Sequence, residues 1–469
     1  MTQKICLLIL IVFLYTKGYA QDSLRTLNAE QVISLVRSYH PVVKQANIQI
    51  DKSKADILTA RAAFDPIIST YATQKTFNGT NYYTYVSPEI KIPTWFGIEI
   101  YSGLESLSGN RLDPSQSTGQ TSYLGISVPL IKNLVIDKRR AFLRQAKIFK
   151  SMAIADQKAT VNDLLMEAME AYWTWVKSYQ TYKVIEQNVE INRKRLALVT
   201  ASYQNGERPA IDTIEALTQL QSFEYEKNAY WLDFQNTGLE LSAFLWTKDE
   251  MPYVLPENIV PQDGWENEVN IAAFNLSLEN LLTAATINHP DLQIYDYKLE
   301  ALQIDKKLKL QELLPKLDVS YNQLGKDFNL LKTTVTGPLF RNNFQYGLKF
   351  EMPLRFSQGR GDYKNAKLKI TETELGQSQK QLQIAIKIKS YYNEFETLKK
   401  QVALQSENYN NYQRLVKAEE SRLTNGESSL FVVNARETKA LEAYEKLIAL
   451  KTKYFKTVYA LQWSAGLLQ

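Results

Sequence analysis

The chain consists of one sequence unit repeated twice. The segment LNAEQVISLVRSYHP, which begins at Leu27, aligns with LSLENLLTAATINHP, which begins at Leu276, at a constant offset of 249 positions. The residues shared by the two segments are Leu27, Glu30, His40 and Pro41 in the first copy and Leu276, Glu279, His289 and Pro290 in the second. Because a duplicated sequence folds into two copies of one structure, each helix or strand predicted in one copy should have a counterpart in the other.

The two copies differ in length mainly between two prolines. The chain runs 63 positions from Pro66 to Pro129, but only 38 positions from Pro315 to Pro353. Beyond these prolines the copies keep nearly the same spacing, since the second proline and the later Asn-Gly-Glu turn are 77 positions apart in the first copy and 73 in the second. The difference therefore lies where strands and loops are expected, and the helices keep a common length.

Residues between the prolines alternate between apolar and polar, as in NNFQYGLKFEM near position 350. Such a period of two predicts strands that have one apolar face. We place these strands at about 67–129 in repeat 1 (21–246) and at about 316–352 in repeat 2 (276–469). We expect about two spanning strands in each repeat, and hence four in the chain.

The rest of each repeat has helical periodicity. A short helix ends near the His-Pro pair, because proline restricts the residue before it, and a second helix follows. Long helical hairpins are predicted at 131–246 and 360–463, and a proline-containing linker at 247–275 joins the two repeats. One apolar seam of the first hairpin consists of Tyr172, Trp175, Tyr179, Tyr182 and Val189. A helix of roughly 70 residues is about 105 Å long, which is more than a globular core requires.

The N-terminus predicts export. Lys4 precedes an apolar run of about ten residues, and Gly18 and Ala20 provide small residues at a cleavage site, so residues 1–20 read as a signal peptide. The only cysteine, Cys6, lies in this segment, so the mature chain has no disulfide and no thiolate metal site. Removing Lys4 and Lys17 lowers the net charge from +5 to +3, which indicates neither nucleic acid nor another strongly charged partner.

Export, alternating strands and long helical rods together favour a transmembrane β-barrel. The aromatic residues that could form its girdles are Tyr71, Tyr82, Tyr83, Tyr85, Trp95, Tyr101 and Tyr123. A sheet in lipid cannot keep an open edge, and four strands are fewer than the minimum of about eight, so such a barrel must be oligomeric. A soluble sheet packed on helices is the alternative interpretation of the same alternation.

These features resemble the TolC family of outer-membrane efflux channels. The resemblance rests on the duplication, the helix break before proline, the strand-ending VPL and MPL, and YQNGERPAID near position 203. It implies a fold of mainly α with β: a homotrimer in which a periplasmic α-barrel of antiparallel helices continues a twelve-stranded barrel in outer-membrane lipid. It also implies a periplasmic adaptor (a membrane fusion protein) and an inner-membrane pump as partners.

The resemblance further assigns roles to the two Asn-Gly-Glu turns. They would form the periplasmic tip of the tunnel and contact the adaptor through Asn205, Gly206, Glu207, Asn425, Gly426 and Glu427. Tyr203, Arg208 and Asp212 would take part in an entrance gate, although Asp212 could instead cap the returning helix. In the second repeat the positions where the best-known members carry an acidic ring hold Val432 and Ala435, so no such ring is expected there.

Other motifs carry little functional weight. His40 and His289 occupy equivalent positions beside proline and are interpreted as helix breaks rather than metal ligands, and Arg360-Gly361-Asp362 lies where a strand gives way to a helix. The sequence has no P-loop, G-x-S-x-G or H-E-x-x-H motif, so no catalytic residue, cofactor or own energy source is expected. Two alternatives to drug or metal efflux stay open: the outer-membrane component of type I protein secretion, and a structural coiled-coil protein of the envelope.

Overall fold

The computed structural model describes residues 25–113, 117–267, 276–328 and 340–468. The predicted signal peptide lies outside these residues. The helices are α1 (Ala29–Tyr39), α2 (Pro41–Ala62), α3 (Lys138–Gln204), α4 (Ala210–Ser242), α5 (Leu278–Asn288), α6 (Pro290–Glu312), α7 (Ser357–Thr424) and α8 (Leu430–Ser464). The strands are β1 (Arg25–Leu27), β2 (Ile67–Phe77), β3 (Thr80–Pro93), β4 (Glu99–Ser108), β5 (Gly119–Pro129), β6 (Ile259–Pro261), β7 (Lys316–Lys326) and β8 (Phe344–Glu351).

The chain divides into two compact units. The helical unit comprises the described parts of Met1–Gln45, Thr160–Ile287 and Ile384–Gln469, and the sheet unit comprises those of Ala46–Ala159 and Asn288–Gln383. Throughout the described ranges, no α-helix combines the length and the apolar composition that crossing a membrane requires.

The sheet unit contains one antiparallel sheet of six strands in the order β2-β3-β4-β5-β7-β8. Strands β5 and β7 pair directly, with Ile126 opposite Tyr321, so the two repeats share a single sheet. The expectation of four strands is therefore wrong: repeat 1 supplies four strands of this sheet and repeat 2 supplies two.

An added β-hairpin, formed by β3 and β4, explains the extra length between the prolines of repeat 1. Its turn is closed by Thr94, whose N–H and hydroxyl both donate to the carbonyl of Ile98, at 2.9 and 2.7 Å. Gly97 adopts a φ of +86° within this turn, a conformation that glycine adopts without steric cost. Trp95 stacks on Phe64 with ring centroids 4.2 Å apart, which anchors the turn beside the end of α2.

The alternation gives the sheet two chemically different faces. Residues directly opposite each other in the registers share a face. The apolar face carries Ile68, Val86, Ile90, Ile92, Ile100, Leu104, Leu124, Ile126, Val319, Tyr346, Leu348 and Phe350. The polar face carries Tyr85, Glu89, Lys91, Glu99, Tyr101, Glu105, Thr121, Tyr123, Asn322, Gln345 and Lys349.

Side-chain hydrogen bonds connect strands across the polar face, both between the neighbours β3 and β4 and, over β4, between β3 and β5. The Tyr123 hydroxyl donates to Glu89 at 2.7 Å, and the Tyr85 hydroxyl donates to Glu105 at 3.1 Å. Tyr85, Tyr101 and Tyr123 lie beside carboxylates on this polar face. The aromatic composition of the strands was visible in the sequence, but the face on which each ring lies depends on the register.

The two longest helices, α3 and α7, have 67 and 68 residues. Helix α3 starts at Lys138, later than the predicted 131, because Asp137 caps it: its Oδ1 accepts the N–H of Arg140 at 2.8 Å. The predicted seam of α3 is largely buried against α4, where Trp175 stacks on Phe234 at 6.0 Å and Tyr179 contacts the same ring at 5.2 Å. The helical rods therefore associate through an aromatic seam.

The paired histidines mark equivalent helix breaks, as predicted. His40 Nδ1 accepts the N–H of Val42 at 3.3 Å, and His289 Nδ1 accepts the N–H of Asp291 at 3.2 Å. Both side chains are buried, and burial lowers the pKa of His40, opposed by a hydrogen bond to the Ala243 carbonyl. A neutral imidazole is the form that accepts a hydrogen bond, so the lowered pKa suits the cap.

Candidate functional site at the two glycine turns

Each long helix of the helical unit ends in a turn of the same geometry. After α3, the N–H of Gly206 donates to the backbone carbonyl of Tyr203 at 2.9 Å, and the N–H of Glu207 donates to the backbone carbonyl of Ser202 at 2.9 Å. After α7, the N–H of Gly426 donates to the backbone carbonyl of Leu423 at 3.2 Å, and the N–H of Glu427 donates to the backbone carbonyl of Arg422 at 2.8 Å. Both pairs of bonds define a Schellman motif, in which the glycine takes the left-handed conformation.

The two glycines have nearly equal backbone angles, with φ of +76° at Gly206 and +77° at Gly426. A Cβ atom at either position would meet no atom within 4 Å, so the backbone angle alone selects glycine. The six residues of the two turns, Asn205, Gly206, Glu207, Asn425, Gly426 and Glu427, are all exposed. We call these residues the tip turns, and they present two equivalent surfaces.

Arg208, beside the first tip turn, connects two parts of the helical unit. Its Nη1 lies 3.1 Å from Asp212 Oδ2, and its Nη2 donates to the Leu423 carbonyl of α7 at 3.3 Å. Asp212 is not the N-cap of α4, because Pro209 occupies the N-cap position. The proline side chain makes no capping hydrogen bond there. Asp212 instead lies in the first turn of α4, where it orients Arg208 toward α7. Tyr203, the third predicted gate residue, is 46% exposed.

A partly buried ion-pair cluster at Arg195, before the end of α3, was not identified from the sequence. Arg195 bonds to both carboxylate oxygens of Glu437 on α8, one of them at 2.5 Å, and to Glu420 on α7 at 3.0 Å. Arg195 Nη1 also donates to the side-chain oxygen of Asn192 at 3.3 Å. The side chains of Arg195 and Glu437 are only 11% and 8% exposed. We call Arg195, Glu420 and Glu437 the inter-hairpin cluster, since they join the α3–α4 hairpin to the α7–α8 hairpin.

The ionised state of Arg195 is stabilised by its partners. Burial would lower its pKa, but hydrogen bonds and charge interactions with Glu437 and Glu420 raise it. The sequence does contain one signal for this cluster: Glu437 falls on the stripe formed by Leu430, Val433 and Leu441, where an apolar residue is expected. A charged residue on such a stripe needs a partner of opposite charge.

Apolar packing and one further polar contact join the two hairpins between the cluster and the tip turns. Val199 of α3, Ala216 of α4 and Leu430 of α8 form a buried core. Asn434 of α8 donates to Glu215 of α4 at 3.4 Å. The side chains that sequence reasoning had placed at this site thus lie next to a buried contact surface between the hairpins.

The family that matches the chain is described as "Outer membrane efflux protein", and its model matches residues 32–245 and again residues 281–467. The chain belongs to the outer membrane efflux protein family. The two matched segments coincide with the two sequence repeats, so the duplication is a property of the family fold. Comparison with the curated proteins gives no match.

Solved structures of outer membrane channels have the same fold as this efflux protein. The Campylobacter jejuni CmeC outer membrane channel matches with a TM-score of 0.63 and 14% identity, over 93% of this chain and 85% of that chain. The Vibrio cholerae outer membrane protein VceC matches with a TM-score of 0.63 and 14% identity, over 93% of this chain and 96% of that chain. The open state of the Neisseria gonorrhoeae MtrE outer membrane channel matches with a TM-score of 0.63 and 11% identity, over 96% of this chain and 93% of that chain.

The efflux protein is therefore a trimeric channel of the outer membrane with a periplasmic helical extension, and it serves as the exit duct of a tripartite pump. Members of the family work with adaptor proteins and inner-membrane pumps, and the structures that match are channels rather than enzymes. A purely structural role in the envelope is not what this family performs.

Proposed function

We propose that the tip turns form the periplasmic entrance of the duct and are the surface on which the adaptor docks. The supporting observation is their equivalence: two exposed turns with nearly the same φ angle occur at the ends of the two long helices. In a trimer they would provide six similar docking surfaces. A helix end that is exposed and has satisfied backbone carbonyls can be contacted without unfolding, which suits a surface that partners bind and release.

The inter-hairpin cluster holds this entrance closed. Arg195 bonds to carboxylates of both α7 and α8. Separating the hairpins breaks the hydrogen bonds between Arg195 and Glu437, and a hydrogen bond to a charged group contributes about 1.5–3 kcal/mol to the closed arrangement. Arg208 adds a weaker link to α7. The closed state is therefore the resting state of the isolated channel.

Opening needs an external source of free energy. The sequence contains no nucleotide-binding motif, so the channel conducts passively once its hairpins have separated. Docking of the adaptor on the tip turns can supply this energy if the adaptor binds the separated hairpins more tightly than the closed ones. The exported compound is selected by the pump, and small-molecule efflux and protein secretion would use the same duct.

Photo-crosslinking tests the docking proposal. A photoreactive amino acid at Asn205 or Asn425 should crosslink the adaptor in intact cells, and mass spectrometry of the product identifies it. Tyr225, which lies on α4 and is 77% exposed, is the matched control and should give no adaptor product. Crosslinks from Tyr225 alone would move the docking surface away from the tip turns and overturn the proposal.

Asp212→Ala should raise the open fraction of the purified channel about threefold. The substitution removes the ion pair that orients Arg208 toward Leu423, and a partly exposed pair of this kind contributes about 0.5–1 kcal/mol. Single-channel recording in planar bilayers measures the effect. Glu224→Ala is the control, because Glu224 pairs with Arg193 inside one hairpin. Equal open fractions in the two variants would show that Asp212 takes no part in the gate.

A further inference from the structure

The six-stranded sheet ends in two open edges. Strand β2 lies at one end of the order and β8 at the other, and neither has a strand on its outer side among the described residues. Every residue of β2 except Thr73 is exposed, and so is every residue of β8 except Gly347. The inner strands β3, β4, β5 and β7 are mostly half-buried. The exposed strands are thus the two edges of the sheet.

These edges cannot stay open in the membrane. The apolar face continues onto both of them, with Ile68 of β2 78% exposed and Leu348 and Phe350 of β8 66% and 61% exposed. A face of this composition faces lipid in an outer-membrane protein. Each unpaired backbone N–H or C=O in the hydrocarbon region costs several kcal/mol, so both edges must find strand partners.

The direction of the strands determines which partner fits. All five pairings in the sheet are antiparallel, so an even number of strands leaves β2 and β8 running in opposite directions. The edge of β8 on one copy is therefore antiparallel to the edge of β2 on a neighbouring copy, and the same contact repeats around a threefold axis. We propose that β2 pairs with β8 of the next copy and that three chains with six strands each close a barrel of eighteen strands.

The added β-hairpin belongs to this wall. Its apolar residues, among them Val86, Ile90 and Leu104, lie on the same face as Leu124 and Ile126 of β5, so the face is continuous across all six strands. Because the diameter of a barrel grows roughly linearly with strand number, eighteen strands make it about 1.5-fold wider than twelve. Barrels of about 16–18 strands enclose an aqueous channel, which suits an exit duct.

Cysteine crosslinking tests the pairing of the edges. The sequence has one cysteine, Cys6, so a Cys6→Ala background carries no other thiol. One cysteine is placed on the polar face of β2 and a second on the polar face of β8, and the assembled trimer is oxidised in outer membranes. The positions are Ser69, Tyr71 and Thr73 on β2, combined in turn with Gln345 and Lys349 on β8. We expect at least one combination to give linked dimers and trimers on a denaturing gel.

The matched control moves the first cysteine to β4, at Tyr101 or Glu105 on the same face. Two strands, β3 and β2, separate β4 from the proposed edge, which corresponds to about 14 Å to the neighbouring β8. No crosslink between chains is expected from these positions. Crosslinking from β4 but not from β2 would mean that β2 and β3 lie outside a wall of twelve strands. A trimer that is intact on a semi-native gel but forms no link from either strand would overturn the pairing as well.

Discussion

Arg195→Ala will open the entrance of the isolated channel. The substitution leaves Glu437 buried without its partner in the closed state, where its side chain is 8% exposed. Removing one partner of a buried ion pair costs about 3–5 kcal/mol, and separated hairpins let water reach the carboxylate. A relative change of about 3 kcal/mol shifts the ratio of open to closed channels about 100-fold. Single-channel recording should therefore show long openings that are rare in the parent protein.

The control for this variant lies two residues away. Arg193 also bonds to two glutamates, Glu190 and Glu224, but its side chain is 54% exposed and its partners belong to the same hairpin. Arg193→Ala should change the open fraction by less than about fivefold, because exposed ion pairs contribute about 0.2–1 kcal/mol. If Arg195→Ala assembles as a trimer and conducts like Arg193→Ala, the cluster does not hold the entrance closed.

Valine at both tip-turn glycines will abolish export while the trimer still assembles. Gly206 and Gly426 have φ angles of +76° and +77°, which a β-branched residue adopts only with strain. The left-handed conformation costs an L-residue roughly 1–2 kcal/mol, so the valine turns will rearrange and lose the docking geometry. We expect each single variant to weaken adaptor binding at least about tenfold. Co-purification of the adaptor and an efflux assay in cells measure the two effects.

Two controls separate backbone strain from side-chain bulk. Asparagine tolerates the left-handed conformation, so Gly206→Asn with Gly426→Asn should retain most of the export. Gly361 in α7 has no atom within 4 Å of its Cβ position and no positive φ, so Gly361→Val tests the same side chain without strain. Full export by the double valine variant would show that the tip turns do not need their present geometry for docking.

The sequence predicted the architecture well because repetition and periodicity are local in origin. The duplication, the long helices and the aromatic seam of α3 follow from spacings along the chain, and the structure confirms them. The strand number was wrong because an apolar-polar alternation shows that strands exist but not how often the chain reverses within them. The added β-hairpin was visible only as extra length between Pro66 and Pro129, and its turn at Thr94–Ile98 contains a single glycine.

The candidate site could be predicted only where chain-local rules apply. The glycine turns follow from helix-capping chemistry, so Gly206 and Gly426 are recognisable in the sequence. Arg195 and Glu437 lie 242 positions apart, and only the packing of two hairpins brings them together. The role of Asp212 as a cap was wrong for a related reason: Pro209 begins the helix, and the carboxylate of Asp212 pairs with Arg208 instead.

In the proposed barrel of eighteen strands, the added β-hairpin sets the width of the pore separately from the tip turns, on which we propose that the adaptor docks. Its two strands lie between β2 and β5 in the sheet, so β5 is still the strand that leads the chain to the start of α3. Gain or loss of such a segment changes the exit width in steps of six strands per trimer and leaves every residue of the tip turns untouched. Channels built on this plan can thus be matched to larger or smaller cargo without being refitted to a new adaptor.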